Sequence, residues 1–154
     1  MNNKYINGFI QAIATVFESF SGRRINCRQV NCISKNNCAN DILVMIGLIG
    51  DVNGSFYMSM NAEIGQQLAS ELLGGIEINE VDELVASAVS ELCNMIIGNA
   101  CSAISSDSVH VDITPPTVML GEQAEYNDEN TFYNIPVELE QLGIIDFDLN
   151  LKTA

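Results

Sequence analysis

Positive charge is scarce in this sequence. Six Lys and Arg stand against 20 Asp and Glu, for a formal net charge of -14. Such a chain repels phosphate backbones, which argues against nucleic acid as a partner. Anionic membrane surfaces are disfavoured for the same reason. Four of the six basic residues (Lys4, Arg23, Arg24 and Arg28) precede residue 30 and are too scattered for a basic patch. No stretch reads as long and apolar enough to span a membrane. The opening "MNNKYINGFIQAIATVF" has one Lys, then an apolar run of helical period, with no small-residue cleavage site after it, so no secretory signal is expected. The expected location is the cytoplasm. The five cysteines are an odd number, and Cys27-x4-Cys32-x5-Cys38 matches no common zinc signature. Cys93 and Cys101 fall in an apolar helical pattern, where thiols act as small hydrophobes. No metal site is therefore expected from the cysteines.

Apolar residues are plentiful, at 47% of 154 residues, so the chain is expected to fold. Its length is that of one domain, covering 1–154, which buries roughly 68–70% of its unfolded surface. Ile6, Phe9, Ile10, Ile13, Val16, Phe17 and Phe20 recur at threes and fours, which predicts a helix over 3–20. Three strands are expected next, at 24–33, 41–50 and 54–60. The first shifts register between Cys27 and Val30, and "DVNG" (51–54) marks a hairpin between the other two. A short helix over 63–75 stops at two glycines. A long helix follows from Asn79, a plausible cap, with Asp82 and Glu83 in its first turns. Then come strands at 108–113, 131–140 and 143–151. Pro115 and Pro116 end the first of these, and an acidic loop is expected at 121–130. The order predicts an α+β fold built as a pseudo-repeat of helix plus three strands, over about 3–75 and 79–151. Its antiparallel sheet would carry two long helices on one face.

The long helix holds an anomaly, "SAVSELCNMIIGNACSAI" (87–104). At about 100° per residue, Val85, Val89, Leu92, Ile96, Ala100 and Ala103 share the core side. Ser87, Glu91, Asn94, Gly98 and Ser102 form the opposite stripe. An ordinary exposed stripe is filled by Lys, Glu, Gln and Arg, which are good helix formers. This one holds Ser, Asn and Gly, which are poor ones, and apart from Glu91 each residue is small. It reads as a docking strip that presents one carboxylate and one amide.

Ser87-x3-Glu91-x2-Asn94, followed by Pro115 and Pro116, resembles the signature of the CheC/CheX/FliY family of chemotaxis phosphatases. "NEVDELVASAVSEL" before it and "NMIIGNACSAI" after it resemble that family's active helix, and "YINGFIQAIATVFESFSG" extends the resemblance to the start of the chain. One active-type helix in a domain of this length resembles the CheX branch. At an offset of 87 residues Lys4 stands where Glu91 would be and Asn7 where Asn94 would be, so the first helix is expected to carry no second site.

The resemblance implies a substrate, the phospho-aspartyl group of a CheY-like response-regulator receiver domain. Asn94 would orient the attacking water and Glu91 would dock a receiver lysine. Ser87, Gly98 and Ser102 would keep the strip low enough for contact. The divalent metal would belong to the receiver, and no cofactor is expected on this chain. The resemblance also implies a homodimer joined through the sheet, and the long strands at 41–50 and 143–151 would be poor edges. The alternative is a non-catalytic CheX-like module that binds receivers or flagellar-switch proteins. His110 and Asp112 are expected on one sheet face; a general-base role for His110 stays open, although a lone strand histidine is more often a surface or subunit-contact residue. Asp146 and Asp148 also alternate onto one face.

Overall fold

The computed structural model describes residues 3–33, 36–105, 108–128 and 132–153; the side chains of residues 3–4, 33, 36–39, 122–128 and 153 are not part of that description. The apolar threes-and-fours pattern forms α1 (Asn3–Ser21), which buries Phe9, Ile13, Val16 and Phe17. Two short strands follow, β1 (Ile25–Cys27) and β2 (Asn31–Ile33), then β3 (Asn36–Gly50) and β4 (Val52–Met60). The β3–β4 turn places Gly50 at φ 130°. The Asn53 amide closes it, accepting from the Gly50 N–H at 3.1 Å and donating to the Gly50 carbonyl at 2.8 Å. Next come α2 (Ala62–Leu72) and α3 (Glu83–Ile104), then β5 (Val111–Ile113), β6 (Thr117–Asp128), β7 (Phe132–Leu139) and β8 (Gly143–Thr153).

The expected α+β fold is present, with one antiparallel sheet in the order β1-β7-β8-β4-β3-β5. β2 also pairs with β7, and β6 also pairs with β3. Among the described residues the sheet has eight strands instead of the expected six. The segment read as one strand over 24–33 is β1 and β2, whose pairing on β7 slips by one residue. Pro136 of β7, which has no N–H to donate, lies opposite that slip, and its carbonyl accepts from the Arg28 N–H at 2.9 Å. The expected strand over 108–113 is ordered as a strand only at Val111–Ile113.

The segment 121–130, expected as an acidic loop, belongs to β6 as far as Asp128; positions 129 and 130 lie outside the described residues. The reason is the partner. β3 begins at Asn36, five residues earlier than expected, and supplies a ladder of backbone groups from Asn36↔Asp128 to Met45↔Thr117. That ladder overrides the low strand propensity of the acidic sequence. Nor are 41–50 and 143–151 edges: β3 lies between β4 and the β5/β6 pair, and β8 between β4 and β7. Their apolar character reflects interior positions in the sheet.

The core lies between the helices and one face of the sheet. Phe9 of α1 stacks on Phe56 of β4 with ring centroids 5.6 Å apart, and Phe56 meets Phe147 of β8 at the same spacing. A second cluster, Leu43, Tyr57 and Phe132, occupies the opposite face. By length and composition α3 would suffice to cross a membrane, contrary to the sequence reading, but half of that window is buried inside the protein. An apolar helix with its core side packed in this way is what a sheet-covering helix requires.

Candidate active site

The site helix starts one turn later than expected. Asp82, not Asn79, is its cap: the Asp82 carboxylate accepts from the N–H groups of Leu84 at 3.0 Å and Val85 at 3.3 Å. A charged acceptor makes the stronger cap at a helix N-terminus. From there the buried positions run Val85, Ala88, Val89, Leu92, Cys93, Ile96, Ile97, Ala100, Cys101 and Ile104. Ala103, expected on the core side, is exposed.

The opposite stripe is where the sequence placed it. Ser87, Glu91 and Ser102 are exposed, and Asn94 and Gly98 are half-buried. Three residues of helix separate Glu91 from Asn94 by about 60° and about 4.5 Å along the axis, so both side chains leave the same face. The ion pairs among the described residues, Arg23–Glu71 and Arg28–Glu138, do not involve Glu91. Its carboxylate is available to a cation from outside the chain. The Ser102 hydroxyl donates back to the Gly98 carbonyl at 3.0 Å, which keeps that side chain against the helix.

Beside the stripe lies an open groove of about 430 Å³ between α1 and α3. Thr15, Val16 and Ser19 form its α1 wall; Met95, Gly98, Asn99 and Ser102 form its α3 wall. Gly98 and Ser102 were expected on this face; the α1 wall was not. The available signal was the pair of small polar residues at Thr15 and Ser19, four apart on the side of α1 away from Phe9 and Ile13.

The remaining candidates stay apart from this face. The His110 side chain is exposed, its backbone N–H donates to the Asp51 carboxylate at 2.8 Å, and Asp112 pairs across from Ile49. Among the described residues no three His, Cys, Asp or Glu side chains gather as a metal site. Burial pushes the Cys93 thiol far above its ordinary range and the Cys101 thiol up to about 11, with the Asp112 charge adding to the latter. Both thiols are therefore protonated at neutral pH and inert as nucleophiles. Cys27 is half-buried and Cys32 exposed, and the Cys38 side chain lies outside the described residues, as does that of Lys4.

A family model described as chemotaxis phosphatase CheX matches residues 42–138. Over 152 residues the chain is 28% identical to the CheY-P phosphatase CheX of Thermotoga maritima, a match spanning 99% of this chain and 97% of that protein. Among solved structures, the chemotaxis protein CheX from Desulfovibrio desulfuricans shares the fold, with a TM-score of 0.85 at 21% identity over 96% of this chain and 99% of that one. A chain of the CheX–CheY–BeF3–Mg complex from Borrelia burgdorferi matches with a TM-score of 0.77 at 26% identity, over 96% of this chain and 97% of that one.

Proposed function

This chain belongs to the CheX family of chemotaxis phosphatases, and on that premise we propose that it accelerates hydrolysis of the phospho-aspartate of a CheY-like receiver domain. The observation that carries the reading is an amide and a carboxylate, Asn94 and Glu91, presented one turn apart on an outward strip of small residues, the carboxylate in no ion pair among the described residues.

The reaction requires a water oxygen in line with the phosphorus and the leaving aspartyl oxygen. The new P–O bond forms as the acyl phosphate P–O bond breaks, which releases phosphate and restores the carboxylate. The Asn94 amide can accept from that water and donate to a phosphoryl oxygen, which orients the nucleophile and needs no titration. The Glu91 carboxylate pairs with the lysine that receiver sites carry near the phosphate and fixes the register of docking. The low side chains of Ser87, Gly98 and Ser102 allow the two surfaces to meet. The divalent ion is held by the receiver, so this chain supplies positioning and needs no cofactor of its own.

We place the protein in the cytoplasm, as a single domain formed by two helix-plus-strand repeats, acting as a homodimer joined through its sheets. The test of the function is phosphate release from a phosphorylated CheY-like receiver at substoichiometric amounts of this protein. Acceleration over the receiver's own hydrolysis is expected. Binding to a beryllofluoride-loaded receiver without acceleration would instead identify a non-catalytic binding module.

A further inference from the structure

Three glycines lie inside helices, and the fold accounts for two of them. A Cβ on Gly65 would collide with Ile42 Cδ1, and one on Gly8 would lie 3.3 Å from Ile104 Cγ2. A Cβ on Gly98 would meet nothing within 4 Å. Glycine weakens a helix interior relative to alanine, and no contact among the described residues requires it here. Gly98 lines the groove between α1 and α3, on the same stripe as Glu91 and Asn94 and one turn beyond Asn94. The space above it is open to the groove.

The groove indicates the chemistry of an occupant. Val16 and Met95 contribute its apolar surface, and Thr15, Ser19, Asn99 and Ser102 its small polar surface. Among the described residues no lining side chain is charged, in a chain of net charge -14. A charged group seated there would lose water and gain no partner. The groove is open to solvent, unlike a site that encloses a small molecule.

Building on the phosphatase reading, we propose that this groove is the specificity subsite for the receiver. It seats an apolar side chain from the receiver surface bordering the phospho-aspartate, with α1 supplying one wall through Thr15 and Ser19. Docking on Glu91 and Asn94 alone places two polar contacts on one helix. The groove adds a shape contact on a second helix, which determines which receiver fits.

The test fills the groove. Thr15 and Ser19 are exposed, so Thr15→Trp and Ser19→Trp leave the core untouched. Each is expected to weaken binding to a CheY-like receiver loaded with beryllofluoride and Mg²⁺ by roughly 10-fold or more. In steady-state phosphate release, KM should rise by more than kcat falls. Gly98→Ala should raise Tm by about 2–4 °C while also raising KM, a combination that a purely structural glycine would not give. Wild-type affinity and KM in both tryptophan variants would overturn the subsite. Asn94→Ala, run alongside, separates the two ideas: if it abolishes release while the tryptophan variants bind normally, the subsite alone fails. If wild-type protein shows no acceleration but the tryptophan variants lose binding, the subsite stands and the phosphatase reading fails.

Discussion

Among single residues, the proposed mechanism gives Glu91 and Asn94 different work because one is charged and the other is not. A charge-assisted pair between Glu91 and a receiver lysine contributes on the order of 1.5–3 kcal/mol. Glu91→Ala should therefore weaken affinity for a beryllofluoride-loaded receiver by roughly 10- to 150-fold, measured by titration. Unchanged affinity with lost turnover would move Glu91 from docking to the chemical step. The stripe was legible in the sequence because side-chain direction on a helix follows from its period alone, and because Ser, Asn and Gly are costly choices for an exposed helix. Ala103 shows where that reasoning ends. A helical wheel assumes one buried direction along its whole length, but near the C-terminus of α3 the neighbour is α1, where Gly8 faces Ile104. Burial there falls on Cys101 and Ile104, and Ala103 faces solvent. For the α1 wall of the groove the sequence offered only the small polar pair Thr15 and Ser19; that this pair faces Gly98 depends on how two helices distant in sequence lie together.

Among the elements, α3 depends on its cap. Asp82→Ala removes the acceptor for the N–H groups of Leu84 and Val85 and should cost about 0.5–2 kcal/mol, read as a lower midpoint in denaturant with an unchanged slope. Asn79→Ala should cost much less, since Asn79 precedes the helix. Helices were legible to within a turn because each carries its own periodicity. Strands were less so. β6 takes an acidic sequence into the sheet because β3 is there to pair with it, and sequence pattern does not reveal the partner's length. The break between β1 and β2 was visible as a register shift at Val30, but its cause, Pro136, lies more than 100 residues away and meets it only in the fold.

For the whole molecule, the sheet divides the chain into a helix-covered core and a second face that carries Asp146 and Asp148 of β8. Burial raises the Asp146 pKa, the Asp148 charge raises it further, and the Asn134 amide, which donates to Asp148 Oδ1 at 2.6 Å, lowers it in part. A raised acid binds its proton more tightly folded than unfolded. Its contribution to stability is therefore present below the ordinary carboxylate range and lost as pH rises through the raised value. Asp146→Asn should accordingly raise Tm at pH 7 and change it little at about pH 3. Assembly also belongs to this scale. Apolar strands suggested edges at 41–50 and 143–151, but these are interior, and the outer strands are the β1/β2 and β5/β6 pairs. A sheet-to-sheet homodimer would leave the α3 stripe free for one receiver per subunit. Light scattering at micromolar concentration should return twice the mass of 16.8 kDa, and a monomer mass would remove the dimer.

In the proposed mechanism Asn94, held outward on α3, positions the water that hydrolyses a receiver's phospho-aspartate. This role is tested most directly by the rate of phosphate release from a phosphorylated CheY-like receiver with wild-type protein and with Asn94→Ala. The variant should keep the wild-type fold by circular dichroism and still bind the beryllofluoride-loaded receiver, while release falls to the receiver's own unassisted rate. Release by Asn94→Ala at near the wild-type rate would contradict it.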